Sequence, residues 1–370
     1  MSSDKKICIA TGIFPPDTGG PAKFADSFAL WSKTNNKALS IVTLTDSEDR
    51  REVINGAEVE LISRSHRFLR RFFRTSYVLR KKMKAGEIVL ANGLFLETYV
   101  ASLLLRKVKY VTKVPGDIVW ERARNNGYTN QSIDAFQNQR LNLKWRIFRT
   151  LFTQSLKKSK VVIAPSKHLA SLCRIWGISE KRIALIANSI DTEEFCSASV
   201  DKKWDVITVC RLVPWKGVQE LIEDCAKLSL SLCVVGDGPQ REHLESLSKS
   251  LGLKCEFKGN LSEGEVKISL DKARCFVLNS SFEATSYALL EARSMGLFSI
   301  ARRNTGSEEI IQHDLDGILC DHNYPLLNAL KRFASDKDFV ASATNAARAD
   351  TETRFDSQIN FEKIYSTVMG

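Results

Sequence analysis

Two cations follow one apolar run in the second half of the chain. Arg211 comes directly after the strand-like segment DVITVC, and Lys216 stands five residues later, before Gly217 and the helical pattern VQELIEDCAKL. A guanidinium offers a planar fork to phosphate oxygens, and an ammonium offers a point charge. Together they could bind a diphosphate and neutralise it as a leaving group. For either residue alone, a solvated loop charge would be the simpler interpretation.

Two carboxylates lie eight residues apart in the segment SFEATSYALLEARSMGL. This spacing is too long for one helical turn, but it suits a loop position for Glu283 and a helical position for Glu291. Carboxylates accept paired hydrogen bonds from vicinal hydroxyls, so one could bind a sugar and the other a ribose. The alternative for Glu291, a surface helix residue, is weakened by the apolar stripe in ALLEARSMG.

Glycines follow two further predicted strands. Gly236 and Gly238 stand in VVGDGP, and EFKGNLS ends a short strand at Gly259, beside Asn260. Glycine permits tight turns and the close approach of a ligand to the backbone. Because Gly-Asp-Gly is also a common turn sequence, these glycines gain weight only from the motifs around them.

The elements that must position these residues alternate between strand and helix. Apolar runs such as KICIA, LSIVTL, AEVELI, EIVLA and KVVIAPS, then DVITVC, LSLCVVG, RCFVLNS and LFSIA, are separated by helical patterns. This alternation predicts an α/β fold with two doubly wound, Rossmann-like domains that face a cleft. We place them at 1–187 and 204–354, joined by a linker at 188–203, and expect a final helix at about 355–369 to pack back on the first domain.

Charge divides the chain at the same boundary. Residues 1–187 carry 33 Lys and Arg against 15 Asp and Glu, a net charge of +18, whereas residues 188–370 carry 21 against 28, a net charge of −7. The first half is therefore expected to meet an anionic partner, such as a membrane surface, a phosphate-bearing acceptor or nucleic acid.

Two segments, 64–84 and 140–160, are basic and amphipathic at helical spacing. Either they lie on an anionic membrane surface, or they pack on their own sheet with a solvated basic face. The first segment interleaves aromatic and apolar residues with arginines: Phe68, Leu69, Phe72, Phe73 and Tyr77 with Arg67, Arg70, Arg71 and Arg74. In the second, Trp145, Phe148 and Phe152 are expected to form the apolar side.

No metal site, secretion signal or membrane span is predicted. The nine cysteines are odd in number and never form CxxC, and no His cluster or HExxH occurs. The apolar stretch after Lys6 is too short for a signal peptide, and no run approaches the length of a membrane span. We expect reduced thiols, no cofactor and a cytoplasmic protein, peripheral on the inner face of the cell membrane if the basic segments bind lipid.

The order of the motifs resembles glycosyltransferase family 4, a retaining family with the GT-B fold. The resemblance covers almost the whole chain. It runs from FPPDTGGPAKFADSFA through APSKHLA, ANSIDTEEF, CRLVPWKG, VGDGP, FKGNLSEGEV and FEATSYALLEA to NTGSEEII and HDLDGIL. The combination is highly specific, although each piece alone is weak.

The resemblance implies a role for each matched residue. Arg211 and Lys216 would contact the donor diphosphate, Glu291 the ribose and Glu283 a hydroxyl of the transferred sugar. The backbone at Gly259 would lie near the base. Gly19 and Gly20, after the first strand, would let backbone amides approach phosphate or acceptor. The full donor-binding set is Gly19, Gly20, Arg211, Lys216, Gly236, Gly238, Gly259, Asn260, Glu283, Ala284, Thr285, Ser286, Leu290 and Glu291.

Three departures from the family pattern stand out. Ala284 replaces a usual Gly, and Asn188-Ser189 replaces a usual Asn-Gly. Many members carry a His near the donor sugar in a Thr-x-His-Gly-like signal, where this chain has KYVTKVPGD. Asp117 is the nearest polar substitute and is our candidate catalytic contact beside Arg211, Lys216 and Glu283. It is equally suited to cap the helix IVWERAR.

The predicted reaction is the transfer of a sugar, with retention, from a UDP- or GDP-sugar to a hydroxyl of a lipid-linked or polysaccharide acceptor in cell-envelope glycan synthesis. The resemblance implies front-face substitution that needs no metal. Two alternatives stay open: a nucleotide-sugar epimerase of the same fold, and a non-enzymatic basic protein that binds nucleic acid.

Overall fold

The computed structural model describes residues 6–103, 105, 107, 110–197, 201–303 and 306–370. These residues form two compact units. The first contains the chain up to Ala187 together with Gln358–Gly370, and the second contains Asn188–Ser357.

The first unit is built on an eight-stranded sheet in the order β3-β4-β2-β1-β5-β6-β7-β8, parallel except for β3 against β4. The strands are β1 (Ile7–Ala10), β2 (Leu39–Thr45), β3 (Arg50–Ile54), β4 (Ala57–Ser63), β5 (Ile88–Ala91), β6 (Tyr110–Lys113), β7 (Val162–Ala164) and β8 (Ile183–Leu185). The helices are α1 (Gly20–Thr34), α2 (Phe68–Lys84), α3 (Phe95–Ser102), α4 (Ile118–Asn125), α5 (Ile133–Asn138), α6 (Leu143–Lys158), α7 (Lys167–Ile175) and the C-terminal helix Ser357–Met369.

The central strands of this sheet are covered on both faces, which explains their continuous apolar sequences. Every residue of β1 is fully buried. On one face, the C-terminal helix packs against α1: the ring of Phe361 lies 5.9 Å from Phe24, 5.3 Å from Phe28 and 6.1 Å from Trp31, centroid to centroid. On the other face, α2 packs against α3, and α3 packs against α6.

The second unit has a fully parallel sheet in the order β11-β10-β9-β12-β13-β14. The strands are β9 (Trp204–Val209), β10 (Leu232–Val235), β11 (Cys255–Gly259), β12 (Ala273–Leu278), β13 (Phe298–Arg302) and β14 (Ile318–Cys320). The helices are α8 (Val218–Lys227), α9 (Arg241–Ser250), α10 (Glu263–Asp271), α11 (Tyr287–Ser294), α12 (Leu326–Ser335) and α13 (Lys337–Arg354), so the helix Ser357–Met369 of the first unit is α14.

Both sheets reverse their strand order once. In the first unit the chain winds to either side of the boundary between β1 and β5, and in the second to either side of that between β9 and β12. Loops at the carboxyl ends of strands leave a crevice at such a switch point, and ligands of open α/β sheets bind there. The α/β class predicted from the sequence is confirmed.

Four strands, β3, β6, β8 and β14, have no counterpart among the predicted apolar runs. β3 is an edge strand in which Arg50 and Arg51 are exposed, so it lacks an apolar run. β8 and β14 contain three residues each. The predicted linker, as far as it is described, belongs to the second unit, where the amide of Ile190 donates to Phe355 O at 3.0 Å and the amide of Ser357 donates to Ile190 O at 2.8 Å.

All nine cysteines are free, and burial raises the pKa of most of these thiols, that of Cys8 to about 12. Among the described residues, none of the helices combines the length and the apolarity that crossing a membrane would require.

Candidate active site

The loops that follow β9 and β12 meet at the switch point of the second unit. The amide of Ser281 donates to Trp215 O at 2.8 Å, and the side-chain amide of Asn279 donates to Gly217 O at 2.9 Å. Gly217 adopts a left-handed φ of 64°, and a Cβ there would lie 2.5 Å from Asn279 O. The two loops are therefore locked together, and any side chains they carry are held in a fixed relation.

An ion pair joins these two loops. Lys216 ends a short 3-10 helix before α8, and its ammonium donates to the Glu283 carboxylate. The two side chains are 18% and 15% exposed. The sequence predicted both residues for the site, and the structure brings them into direct contact although 67 positions separate them.

Arg211 lies two residues beyond the end of β9 and is exposed. Within the part of the chain that the structure describes, its guanidinium has no hydrogen bond or ion pair. A cation that lacks an internal partner at the switch point can accept an anion without first breaking another contact. Arg211 and Lys216 thus follow the same strand, but of the two only Lys216 is paired with a carboxylate among the described residues.

The glycines after β10 shape the loop that carries Arg211. A Cβ on Gly236 would lie 2.0 Å from Cys210 O, and one on Gly238 would lie 2.4 Å from Leu212 O. From the sequence, these glycines are expected to let a ligand approach the backbone. The structure adds a reason internal to the protein, because any side chain at either position would displace the residues next to Arg211.

Gly259 and Asn260 end the neighbouring strand. Gly259 has a φ of 68°, and its carbonyl accepts from the amide of Gly236 at 2.8 Å. A Cβ on Gly259 would lie 2.9 Å from the Nη1 atom of Arg241. Asn260 is exposed beyond the end of β11. The loops that follow β9, β10 and β11 are thereby connected to one another at the carboxyl edge of the sheet.

The loop of Glu283 is fixed by Gly306, which sequence reasoning did not assign to the site. The Gly306 amide donates to Glu283 O at 2.6 Å, and a Cβ on Gly306 would lie 1.7 Å from Ala284 O. On the other side, the side-chain amide of Asn188 donates to Thr285 O at 3.1 Å. The sequence signal for this residue is the glycine of NTGSEEII, one of the motifs that resemble the family.

Helix α11 begins directly after this loop. Its N-cap is Ser286, whose side chain accepts from the amide of Leu289 at 3.3 Å, and its apolar side includes the fully buried Leu290. Glu291 is only 5% exposed. Burial, together with the nearby Glu291 carboxylate, raises the pKa of Tyr287. Glu291 is therefore a buried carboxylate rather than a surface helix residue.

Gly19 and Gly20 lie in the first unit, at the start of α1 and after β1. Gly19 has a φ of 140°, and the side-chain amide of Asn92 donates to Pro21 O at 3.0 Å. Arg64 holds the same loop, because its Nη2 atom donates to Gly12 O at 3.1 Å. This loop and the one after β5 occupy the switch point of the first sheet.

Asp117 caps helix α4, which is the alternative that the sequence offered to a catalytic contact. It is 1% exposed, and its Oδ1 atom accepts from the amides of Val119 at 2.9 Å and Trp120 at 3.0 Å. Its Oδ2 atom accepts from the side-chain amide of Gln137 at 2.9 Å. Both carboxylate oxygens are thus engaged inside the unit. Burial raises the pKa of Asp117 above its usual value.

Another buried group in the same motif went unnoticed. Lys113 ends β6, is 2% exposed, and places its Nζ atom 4.6 Å from the ring centroid of Phe24. Burial lowers the pKa of this ammonium to about 7. Among the described residues, His, Cys, Asp and Glu side chains form no group of three that could hold a metal ion.

Two family models match consecutive parts of the chain. The one described as Glycosyltransferase Family 4 matches residues 18–194, and the one described as Glycosyl transferases group 1 matches residues 189–350. Together the two models match residues 18–350, so the chain belongs to this family of glycosyltransferases. The family resemblance predicted from the motifs is confirmed.

Relatives with names of this class match parts of the chain. The 2-deoxystreptamine N-acetyl-D-glucosaminyltransferase of Niallia circulans is 30% identical over 202 residues, which are 48% of this chain and 52% of that protein. The putative colanic acid biosynthesis glycosyltransferase WcaL of Escherichia coli is 26% identical over 227 residues, which are 56% of each chain. The chain therefore spans about half the length of these relatives.

Solved structures match the whole length. Anabaena HepE, solved with UDP and glucose, superimposes with a TM-score of 0.79 at 18% identity and 99% coverage of both chains. Sucrose-phosphate synthase from Thermosynechococcus elongatus gives a TM-score of 0.80 at 16% identity and 98% coverage of both chains. These neighbours are GT-B glycosyltransferases, which confirms the predicted GT-B fold.

Proposed function

We propose that the protein transfers a sugar, with retention of anomeric configuration, from a nucleotide-sugar donor to a hydroxyl of an acceptor. The observation that carries this proposal is the arrangement at the switch point of the second unit. There the Lys216–Glu283 ion pair and the exposed Arg211 lie on loops that are locked together. One carboxylate and two cations are the groups needed to bind a sugar hydroxyl and a diphosphate.

The ion pair determines how Lys216 and Glu283 would respond to a donor. Glu283 holds the ammonium of Lys216 at the switch point, so neither group is an isolated charge before the donor arrives. When a diphosphate binds, it competes for Lys216 and releases the Glu283 carboxylate toward a sugar hydroxyl. Arg211 joins the diphosphate without such an exchange. Glu291, buried in α11, then binds the ribose hydroxyls.

Retention follows from front-face substitution. The departing diphosphate helps to deprotonate the acceptor hydroxyl, while Arg211 and Lys216 stabilise the charge that develops on it. Preorganised charges of this kind contribute most of the rate in comparable sites, about 3–4 kcal/mol for each group. Two cations can neutralise the leaving group, so the proposed reaction needs no metal ion and no cofactor.

The proposed donor is a UDP- or GDP-sugar, and the proposed acceptor is a lipid-linked or polysaccharide intermediate of cell-envelope glycan synthesis. Two names support this proposal: HepE was solved with UDP and glucose, and WcaL is a putative colanic acid biosynthesis glycosyltransferase. The proposed location is the cytoplasm, at the inner face of the membrane where a lipid-linked acceptor would be presented.

A donor screen tests the proposal. The full chain is incubated with UDP-, GDP- and ADP-sugars and a panel of acceptors, with a chelator present throughout. Products are measured by mass spectrometry and their anomeric configuration by NMR. We expect one nucleotide class to bind and its sugar to be transferred with retention. Strict dependence on added magnesium or manganese would overturn the metal-free mechanism, and an altered sugar on the donor without any acceptor would identify an epimerase.

Variants of the two cations complete the test. Lys216→Ala and Arg211→Ala should each lower kcat/KM by about 10² to 10³-fold, without loss of thermal stability. The matched control is Lys203→Ala in the same unit, whose ammonium also forms a carboxylate ion pair, 2.8 Å from Glu256. Transfer that is equal in all three variants would show that the switch-point cations do not bind the donor.

A further inference from the structure

The outer face of α2 carries large apolar side chains in water. Phe68 and Leu69 are each 66% exposed, Phe73 is 60% exposed and Tyr77 is 63% exposed. The three rings are the most exposed aromatic side chains among the described residues, and all of them stand on this one helix. Scattered exposed leucines are ordinary on protein surfaces, whereas a contiguous aromatic row marks an interaction site.

These exposed side chains are not the ones that pack the helix on its sheet. Helix α2 packs on its sheet through Val78, Leu79 and Met83, which join the buried cluster around β1 and β5. The small residues Thr75 and Ser76 are also buried on this inner side. The helix thus turns its short polar and aliphatic residues inward and its aromatic rings outward. The helix therefore packs on its own sheet, and its outer face carries aromatic rings as well as cations.

The same outer face is strongly basic. Helix α2 contains seven Lys and Arg and no Asp or Glu. Two of its arginines are anchored within the unit: Arg71 donates to Arg64 O at 3.1 Å, and Arg74 lies 2.7 Å from a carboxylate oxygen of Asp49. In contrast, Arg70 and Lys84 are exposed and form no side-chain hydrogen bond or ion pair with the residues that the structure describes.

Helix α6 continues this surface. It lies beyond α3 in the same layer, and it also contains no acidic residue. Its outward side chains include Leu143, Ile147 and Leu151, which are 62%, 50% and 42% exposed. The aromatic residues predicted to form its apolar side behave differently, because Trp145 and Phe152 are buried inside the unit. Aliphatic residues therefore form the apolar part of this end.

We propose that the layer formed by α2, α3 and α6 docks on the surface of an anionic lipid bilayer. The rings of Phe68, Phe73 and Tyr77 enter the interfacial region, and the exposed cations Arg70 and Lys84 meet acidic headgroups. This inference deepens the proposed transfer to a lipid-linked acceptor, on which it rests for its purpose, since docking would bring the enzyme to the surface that presents the acceptor.

The chemistry of the surface favours lipid over nucleic acid. Bases stack on aromatic rings and phosphates pair with arginine, so α2 alone fits either partner. Exposed aliphatic residues distinguish a lipid partner from a nucleic acid, because they offer no stacking plane for a base but do enter the acyl boundary of a bilayer. These residues are Leu69, Leu143, Ile147 and Leu151. A soluble protein partner would also cover apolar area, but it would need an unusually acidic surface to match the exposed cations of α2 and α6.

Vesicle flotation tests the proposal. The full chain is mixed with vesicles of pure phosphatidylcholine or of phosphatidylcholine with phosphatidylglycerol, and floated protein is measured across salt concentrations. Strong recovery is expected only with the anionic vesicles, falling as salt rises. The double variant Phe73→Ser with Tyr77→Ser should lose most of this recovery. Arg70→Gln with Lys84→Gln should weaken binding by about fivefold for each cation removed.

The controls are matched for chemistry and place. Leu30→Ser removes an apolar side chain that is 50% exposed on α1, in a different helix layer of the same sheet. Lys181→Gln removes an exposed lysine elsewhere in the first unit. Both should float like the unaltered protein. Equal recovery with neutral and anionic vesicles would overturn the proposal. Displacement of the vesicles by a single-stranded oligonucleotide would also overturn it. So would the formation of a stable dimer that is lost in the Phe73→Ser, Tyr77→Ser variant.

Nucleotide binding separates this inference from the proposed function. The docking variants lie in the first unit and should bind the donor nucleotide with unchanged affinity in solution. A protein that floats but binds no nucleotide sugar would retain the docking surface and lose the proposed reaction. A protein that transfers sugar to a short water-soluble acceptor but never floats would retain the reaction and overturn the docking surface.

Discussion

Residues that stand far apart in sequence form the candidate site, where the loops that follow β9 and β12 meet. The roles of Arg211, Lys216, Glu283 and Glu291 stay predictions, but the structure brings Lys216 and Glu283 into direct contact. The Lys216–Glu283 contact could not be read from spacing alone, because it depends on β9 and β12 lying side by side. Gly306 was missed for the same reason, since its close partner is a backbone carbonyl 22 positions away.

Asp117 fits two roles from the sequence, catalytic contact and helix cap, and in the structure it caps α4. The first prediction is that Asp117→Ala lowers the free energy of unfolding by about 1–2 kcal/mol, because a buried N-cap is lost. Turnover per folded molecule should stay close to that of the unaltered protein. Denaturant unfolding and steady-state kinetics measure the two effects, and Ser132→Ala, which removes the cap of α5, is the matched control. A hundredfold fall in kcat at unchanged stability would show instead that Asp117 takes part in catalysis.

Lys113 gives a prediction about pH. Its pKa is about 7 in the folded protein, against a usual 10.5, because burial disfavours the charge. Between these values the unfolded chain binds a proton that the folded chain has lost, so this residue makes stability rise with pH across that window. Below pH 7 both states are protonated, and the destabilisation of the folded protein by the buried Lys113 charge is at its largest.

Lys113→Met should therefore raise the free energy of unfolding near pH 6, by an amount on the order of 2–4 kcal/mol. The gain should shrink as the pH rises and approach zero near pH 10. Denaturant unfolding at a series of pH values measures it. Lys181→Met is the control at an exposed position and should give a small difference with no such trend. A gain that does not change with pH would show that packing, not charge, distinguishes the variant.

At the scale of the elements, strand positions were readable where burial on both faces forces a continuous apolar run. The four residues of β1 and those of β10 are buried throughout, and both strands were predicted. The edge strand β3 pairs with β4 through exposed charged residues, and its pairing is invisible in the apolar pattern. Helix α2 was predicted as amphipathic, but which side faces the sheet depended on contacts with strands distant in sequence.

The contact between Gly306 and the loop of Glu283 leads to the next prediction. Gly306→Ala would place a Cβ where Ala284 O now lies, so residues 283–285 must shift. A displacement of about 1 Å at a positioned group can lower the rate about 10²-fold. We expect kcat/KM for the donor to fall by this amount while the second unit stays folded. Gly264→Ala is the control, because no atom lies within 4 Å of its added Cβ.

At the scale of the whole molecule, the two units differ in charge and in continuity. The net charges are +18 and −7, and the proposed docking surface lies in the positively charged half. The second unit is one continuous segment, whereas the first takes α14 from the far end of the sequence. Composition revealed the charge division, but the return of α14 depends on a match between its buried face and α1.

A substitution of Phe361 tests how much the packing of α14 on α1 contributes to stability. Phe361→Ala should lower the free energy of unfolding of the first unit by about 3–5 kcal/mol, because a fully packed ring is lost from the cluster with Phe24, Phe28 and Trp31. The two units need not unfold together, so hydrogen exchange followed by mass spectrometry should show faster exchange in the first unit only. Ile359→Ala, at a position 43% exposed on the same helix, should change stability by less than about 0.5 kcal/mol.

The discontinuity of the first unit also sets an order of events during synthesis. Domains usually fold in the order in which they leave the ribosome. Here the segment up to Ala187 emerges first but lacks the helix that covers Phe24 and Phe28. All residues of the second unit have been synthesised before that helix follows. The nascent chain therefore exposes an uncovered aromatic cluster for the time needed to translate the second unit, a period in which chaperones have an apolar surface to bind.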